Sequence, residues 1–253
     1  MQAFYFQSSD SAPCEQAPHD GILIQSPQGI KQRVTLSIDR ATVSLGSTVY
    51  ITAQPSKFLT INTLEGSAQV TVSGQTETVS AGAQIDVPLD ATFHATGLPN
   101  PPQFYGVDPV RALPVQLLPA PFTLIPGFSS AIVLHQWLFT WERIPKLASG
   151  SCTSWNSPIW GNNNNTYSFP IQMGLDSTQD FLWLNIPPHN FNFPPTNNAK
   201  YVATRATDGS YNIHNSQFVM RFTSPTHIEG LYPTMINAGG CMWSLAFTID
   251  KVS

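Results

Sequence analysis

From residue 33 to residue 93 the chain is cut into short runs in which apolar and polar residues alternate. Arg33-Val34-Thr35-Leu36-Ser37-Ile38 is one such run. Thr48-Val49-Tyr50-Ile51-Thr52-Ala53 and Phe58-Leu59-Thr60-Ile61-Asn62-Thr63 are two more. Ala68-Gln69-Val70-Thr71-Val72, Glu77-Thr78-Val79 and Gln84-Ile85-Asp86-Val87 continue the pattern. A period of two puts alternate side chains on opposite faces of an extended strand. Glycine-bearing turn signals at Gly46, Gly66, Gly74 and Gly82 separate the runs. Strands cut about every 8–12 residues predict a small β roll, sandwich or barrel. With 22 prolines and 16 glycines in 253 residues, long helices are not expected.

The second half carries the same signature more loosely. Ile132 to Trp141 is an apolar run compatible with a strand or a short helix. Strands are predicted at 167–171, 181–186, 201–204, 218–222, 226–232 and 243–249, and Asp208-Gly209 is a hairpin turn signal. About eight strands over residues 128–253 fit an up-and-down barrel or a sandwich. The ending, Ser224-Pro225-Thr226-His227-Ile228-Glu229-Gly230 followed by a final strand led by Cys241, loosely resembles the closing hairpins of lipocalin-like barrels. The expected fold class is therefore all-β: a small roll or sandwich at 31–96 and a larger barrel or sandwich at 128–253. Residues 1–30 are read as an extended N-terminal segment holding one short strand at Gly21-Ile22-Leu23-Ile24-Gln25. Residues 97–127 are a Pro-rich linker, too apolar at Val115, Leu117, Leu118, Phe122, Leu124 and Ile125 to hang in water. That segment is expected to lie along a domain surface.

Three stretches of the first domain carry a family resemblance. They are Val43-Ser44-Leu45-Gly46-Ser47-Thr48-Val49, Thr63-Leu64-Glu65-Gly66 with Val70-Thr71-Val72, and Val79-Ser80-Ala81-Gly82-Ala83-Gln84-Ile85. Together they resemble the FecR-type domain over about 60 of the 253 residues. The resemblance implies a small β-rich module of the bacterial periplasm or exterior. It carries no chemical group. The chain shows neither the membrane helix nor the cytoplasmic tail of the signalling members, so their iron-signalling role is not carried over.

Charge points the same way on compartment. Only 10% of residues are charged, against about 25% in an average soluble protein. Ser, Thr, Asn and Gln must supply the polar surface, as suits an extracellular or cell-surface protein. The start, Met1-Gln2-Ala3-Phe4-Tyr5-Phe6, lacks the basic and apolar regions of a signal peptide, so a leader removed before this numbering is expected. Net charge is −4, and the eleven Lys and Arg are scattered singly, which excludes a basic nucleic-acid patch. No apolar run is long enough to span a membrane as a helix.

Cys152 and Cys241 open two Trp-bearing segments. A disulfide between them would close a loop of roughly 90 residues and stabilise by about 3–5 kcal/mol; buried free thiols are the alternative, and Cys14 is left over. No catalytic signature, metal motif or cofactor motif appears. Asp176-Ser177-Thr178-Gln179-Asp180 reads as a solvated loop. His227 and Glu229 share one face of a predicted strand, which is the weak case for a hydrolase. Trp155, Trp160, Trp183, Phe191 and Phe193 lie among asparagines, and flat rings beside amides suit a glycan or a small apolar ligand. The strip Phe4-Tyr5-Phe6 can add as a strand to a neighbour. The expected role is a non-enzymatic structural or interaction protein of the cell surface, its partners being other copies of itself or surface proteins. A glycan- or ligand-binding module is the alternative.

Overall fold

The computed structural model of the chain describes residues 20–26, 34–38, 40–46, 48–141, 146–149, 167–187, 199–213, 218–236 and 242–252. Contacts divide it into two compact units. One comprises 1–130 with 198–202, the other 131–197 with 203–253. The described residues are all-β, with a single 3-10 turn at Val115–Leu117.

Among the described residues the first unit has nine strands. They are β1 (Ile22–Gln25), β2 (Val34–Ile38), β3 (Ala41–Leu45), β4 (Thr48–Ala53), β5 (Phe58–Glu65), β6 (Ser67–Val72), β7 (Gln75–Ser80), β8 (Ala83–Pro88) and β9 (Gln103–Phe104). A four-stranded sheet runs β2-β3-β6-β7 and a five-stranded sheet β1-β4-β5-β8-β9. Their inner faces share one core. Val43, Leu45, Val70 and Val79 come from one sheet, and Val49, Ile51, Ile61, Ile85 and Val87 from the other. The alternation seen in the sequence is this arrangement, one row in and one row out, so the unit is a β-sandwich. The β6–β7 hairpin turns on Ser73 (φ 50°) and Gly74 (φ 85°), and two successive positive φ values give the tight turn whose twist matches the strands.

Residues 97–128 belong to this unit. They cross the outer face of the five-stranded sheet and build a second core there, in which Tyr105, Val110, Leu113 and Val115 pack on Tyr50 and Leu64. The Tyr105 hydroxyl donates to the Ile125 carbonyl at 3.0 Å. Gln25, at the end of β1, fixes the segment with two bonds to Ala120. Its Nε2 donates to the carbonyl at 2.7 Å, and its Oε1 accepts from the amide at 3.0 Å. The prolines deny the segment a strand ladder of its own, so side chains hold it.

The remaining strands are β10 (His135–Trp141), β11 (Lys146–Ser149), β12 (Tyr167–Leu175), β13 (Phe181–Ile186), β14 (Ala199–Arg205), β15 (Tyr211–Ile213), β16 (Val219–Ser224), β17 (His227–Ile236) and β18 (Met242–Lys251); all belong to the second unit except the first four residues of β14, which count with the first. The run 132–141, open between strand and helix in the sequence, is a strand from His135. Eight of these strands close into a barrel, in the order β10-β12-β13-β14-β15-β16-β17-β18, with β18 pairing back onto β10. β11 pairs with the start of β18. Aromatic rings pack through the interior. Phe139 stacks on Phe169 and on Phe247 with centroids 5.0 and 4.8 Å apart. Trp141 and Phe218 meet Phe247 at 5.3 and 5.6 Å. Gly230 stands opposite Phe247, and a Cβ there would lie 2.0 Å from the ring, so only glycine lets the ring lie flat on β17. Eight strands enclose an interior that side chains of this size can fill.

Candidate functional site: an open sheet edge

A closed barrel has no strand edges, whereas a sandwich has four, and unpaired edge backbone is a template for another strand. Among the described residues three of the four edges are managed. β9 is only two residues long. β1 has the Gln25 side chain bonded to Ala120 beside it. On β7 the register sets Glu77 opposite the fully buried Val70, so a carboxylate stands in the core-facing row. Gln75 Nε2 donates to Glu77 Oε1 at 3.2 Å. A strand arriving at β7 would have to bury that charge, which is costly without a cation.

Among the described residues β2 carries no such guard. It reads Val-Thr-Leu-Ser-Ile, with no charge and no proline. Register with β3 pairs Val34 with Leu45, Leu36 with Val43 and Ile38 with Ala41. The β3 partners are at most 1% exposed, while Val34, Leu36 and Ile38 pack on the core only partly buried. The apolar row therefore runs out to the edge and remains half wet there.

The outer face of the same sheet is free of charge along the strands. One cross-strand row is Ser37, Thr42, Thr71 and Thr76, and the next is Thr35, Ser44, Gln69 and Thr78. Thr71 and Thr76 share a hydroxyl–hydroxyl bond of 2.7 Å. The low charge of the sequence is thus concentrated into a hydroxyl-rich surface that ends at β2.

Charged groups elsewhere serve the fold. On the five-stranded sheet Asp86 accepts from Thr60 at 2.6 Å and from Gln103 at 3.0 Å, joining three strands. Asp90, Asp176 and Asp208 each close a turn by accepting from the residue two positions on. A Thr92 hydroxyl bond and the His94 amide hold Asp90 below the usual carboxylate range, and Ser210 does the same for Asp208. At Asp176 partial burial pushes upward, but bonds from Thr178 and the Phe181 amide outweigh it and the net shift is downward. The stretch 176–180 is therefore a self-bonded turn.

His227 has a second polar partner that the sequence did not reveal. Its Nδ1 lies 2.5 Å from Asp250 Oδ1, and its Nε2 lies 3.9 Å from Glu229 Oε1. Ile228 and Ile249, the neighbours in sequence, are fully buried, so this triplet faces outward from the barrel wall. The two carboxylates are 67% and 52% exposed, without the dry surroundings that make such a group effective in acid–base work. No group of three or more His, Cys, Asp or Glu side chains among the described residues is arranged to hold a metal ion, and no described helix is long and apolar enough to cross a membrane.

Of the ligand candidates, Trp183 is described. It sits in β13 at 0% exposure, a core ring that presents no face to solvent. Trp155, Trp160, Phe191, Phe193, Cys152, Cys241, Cys14 and the strip Phe4-Tyr5-Phe6 lie outside the described residues. Sequence reasoning missed the β2 edge because sheet order decides which strand is last. It had one usable signal: Glu77 shares its parity with Val79, which marks an inward carboxylate on β7. No protein-family model matches this sequence, and it has no match among curated proteins or solved structures.

Proposed function

We propose that this protein is an exported or cell-surface structural and interaction protein that associates with its neighbours through strand edges of its first unit. The unguarded, half-wet β2 edge, beside three managed ones, carries the reading. The low charge and the FecR-like stretches support the compartment. Phe4-Tyr5-Phe6 is a second uncharged segment suited to the same mode of contact. No catalytic role is part of the proposal. Sedimentation across a wide concentration range tests it. Reversible association at high concentration is expected, and a strict monomer throughout would overturn it. Removing residues 1–12 measures what the aromatic strip adds, through a fall in particle size.

One observation favours a second reading, a binding module for neutral glycans. The charge-free rows of Ser, Thr and Gln on the four-stranded sheet offer hydroxyl and amide partners to a polyol. A glycan array probed with the intact protein decides it, and silence across neutral polysaccharides would remove it.

A further inference from the structure

We infer that β2 pairs antiparallel with β2 of a second copy about a two-fold axis at Leu36, joining two four-stranded sheets into one of eight; this rests on the association reading above and names its partner. The strand is self-complementary. Turned about Leu36, Val34 meets Ile38 of the second copy and Leu36 meets Leu36. Thr35 meets Ser37. Apolar residues of the core-facing row thus meet only apolar ones, and outer-face hydroxyls meet only hydroxyls. The chain on either side keeps the symmetry: Arg33 precedes the strand and Asp39 follows it, opposite charges at equal distance in sequence from Leu36. The contact covers the three residues that a single copy leaves partly buried. The other end of the sheet lacks this property. Turned about Glu77, β7 would set carboxylate against carboxylate, and turned about Thr78 it would set Glu77 against Val79.

Two-fold contacts of this isologous kind are the commonest route to a homodimer. A five-residue edge is much smaller than the roughly 1,200 Å² of a standard stable interface, so the dimer forms at high local concentration. A crowded surface supplies that concentration.

The test compares the intact protein with a Thr35→Lys/Ser37→Lys variant and a Thr76→Lys/Thr78→Lys variant. Both place lysines on exposed outer-face positions of an end strand, so circular dichroism should match the parent, with melting slightly lower in the β7 variant for want of the Thr71–Thr76 bond. The β2 variant is expected to dimerise at least tenfold more weakly, while the β7 variant dimerises normally. Equal dimerisation of a folded β2 variant overturns the inference and leaves the association reading standing. A parent that never associates overturns both. If loss of residues 1–12 abolishes the dimer and the lysines on β2 do not, the aromatic strip is the contact and the inference falls. Hydrogen exchange on the unaltered protein gives an independent reading. Deuterium uptake over 34–38 should slow as concentration rises, and uptake independent of concentration counts against the β2 contact.

Discussion

Tyr50 sits between two cores, on the outer face of β4 beneath the Pro-rich segment and only 2% exposed. Burial, reinforced by the Asp20 carboxylate, pushes its phenol up to about 12. Burial also drives the Tyr105 phenol upward. The folded state favours the neutral phenol of Tyr50. Its stabilising contribution is complete below the unfolded value of about 10 and disappears as pH rises through about 12. Stability should therefore fall between those values. Tyr50→Phe, which cannot ionise, should flatten the fall, as urea midpoints measured across alkaline pH would show. An unchanged slope in that variant would assign the loss to other groups. At this scale the sequence was half legible. Tyr50 was recognisable as a strand residue, but its row gave no hint of a second core on the far side of the sheet.

Elements were read more fully, and the omissions have physical causes. Most runs with period two became strands within a residue or two of their predicted limits. β3 was missed although Ala41-Thr42-Val43-Ser44-Leu45 alternates cleanly, because the turn before it has no glycine or proline. Arg40 itself takes a positive φ of 65° there, and a charged residue gives no turn signal. β15 is only three residues long, too short for a period to register. Residues 97–127, read as a linker expected to lie along a domain surface, cover a sheet face of the first unit. Proline density conveyed their extended backbone, while their apolar residues conveyed that they pack. The guard on β7 makes its own prediction. Glu77→Val should remove the inward charge and open a second edge. Light scattering should then show species larger than a dimer, while the melting temperature stays level or rises because a half-buried charge has gone. A variant no larger than its parent would mean that β7 is blocked by something other than Glu77.

At the scale of the molecule the all-β class was legible in the sequence, with a barrel as one of the two architectures read for residues 128–253, while the strand pair that closes it was not. Closure rests on the first and last strands meeting, with Trp141 opposite Phe247 and Phe139 opposite Ile249 across more than a hundred residues. Nothing local announces such a pairing. The candidate site was hidden for the same reason, since sheet order is a long-range property. Overall charge still bears on behaviour. The contact strand is uncharged, and the chain carries only −4 in 253 residues. Only Arg33 and Asp39 flank the strand with opposite charges across the two-fold, and exposed pairs of this kind contribute little, so a tenfold rise in ionic strength should weaken the dimer by less than about threefold. Sedimentation in low and high salt checks this, and a strong salt dependence would implicate charged groups beyond β2.

Among the described residues the barrel sheet ends on the short β11, and the sandwich ends on β2, the open edge that pairs with its own kind in the proposed dimer. Through this edge each molecule has a valence of one. Such pairing ends at two copies, so it cannot by itself propagate a fibre or a lattice. A coat built from these molecules needs a second, chemically different bond, and the dimer is its repeating tile.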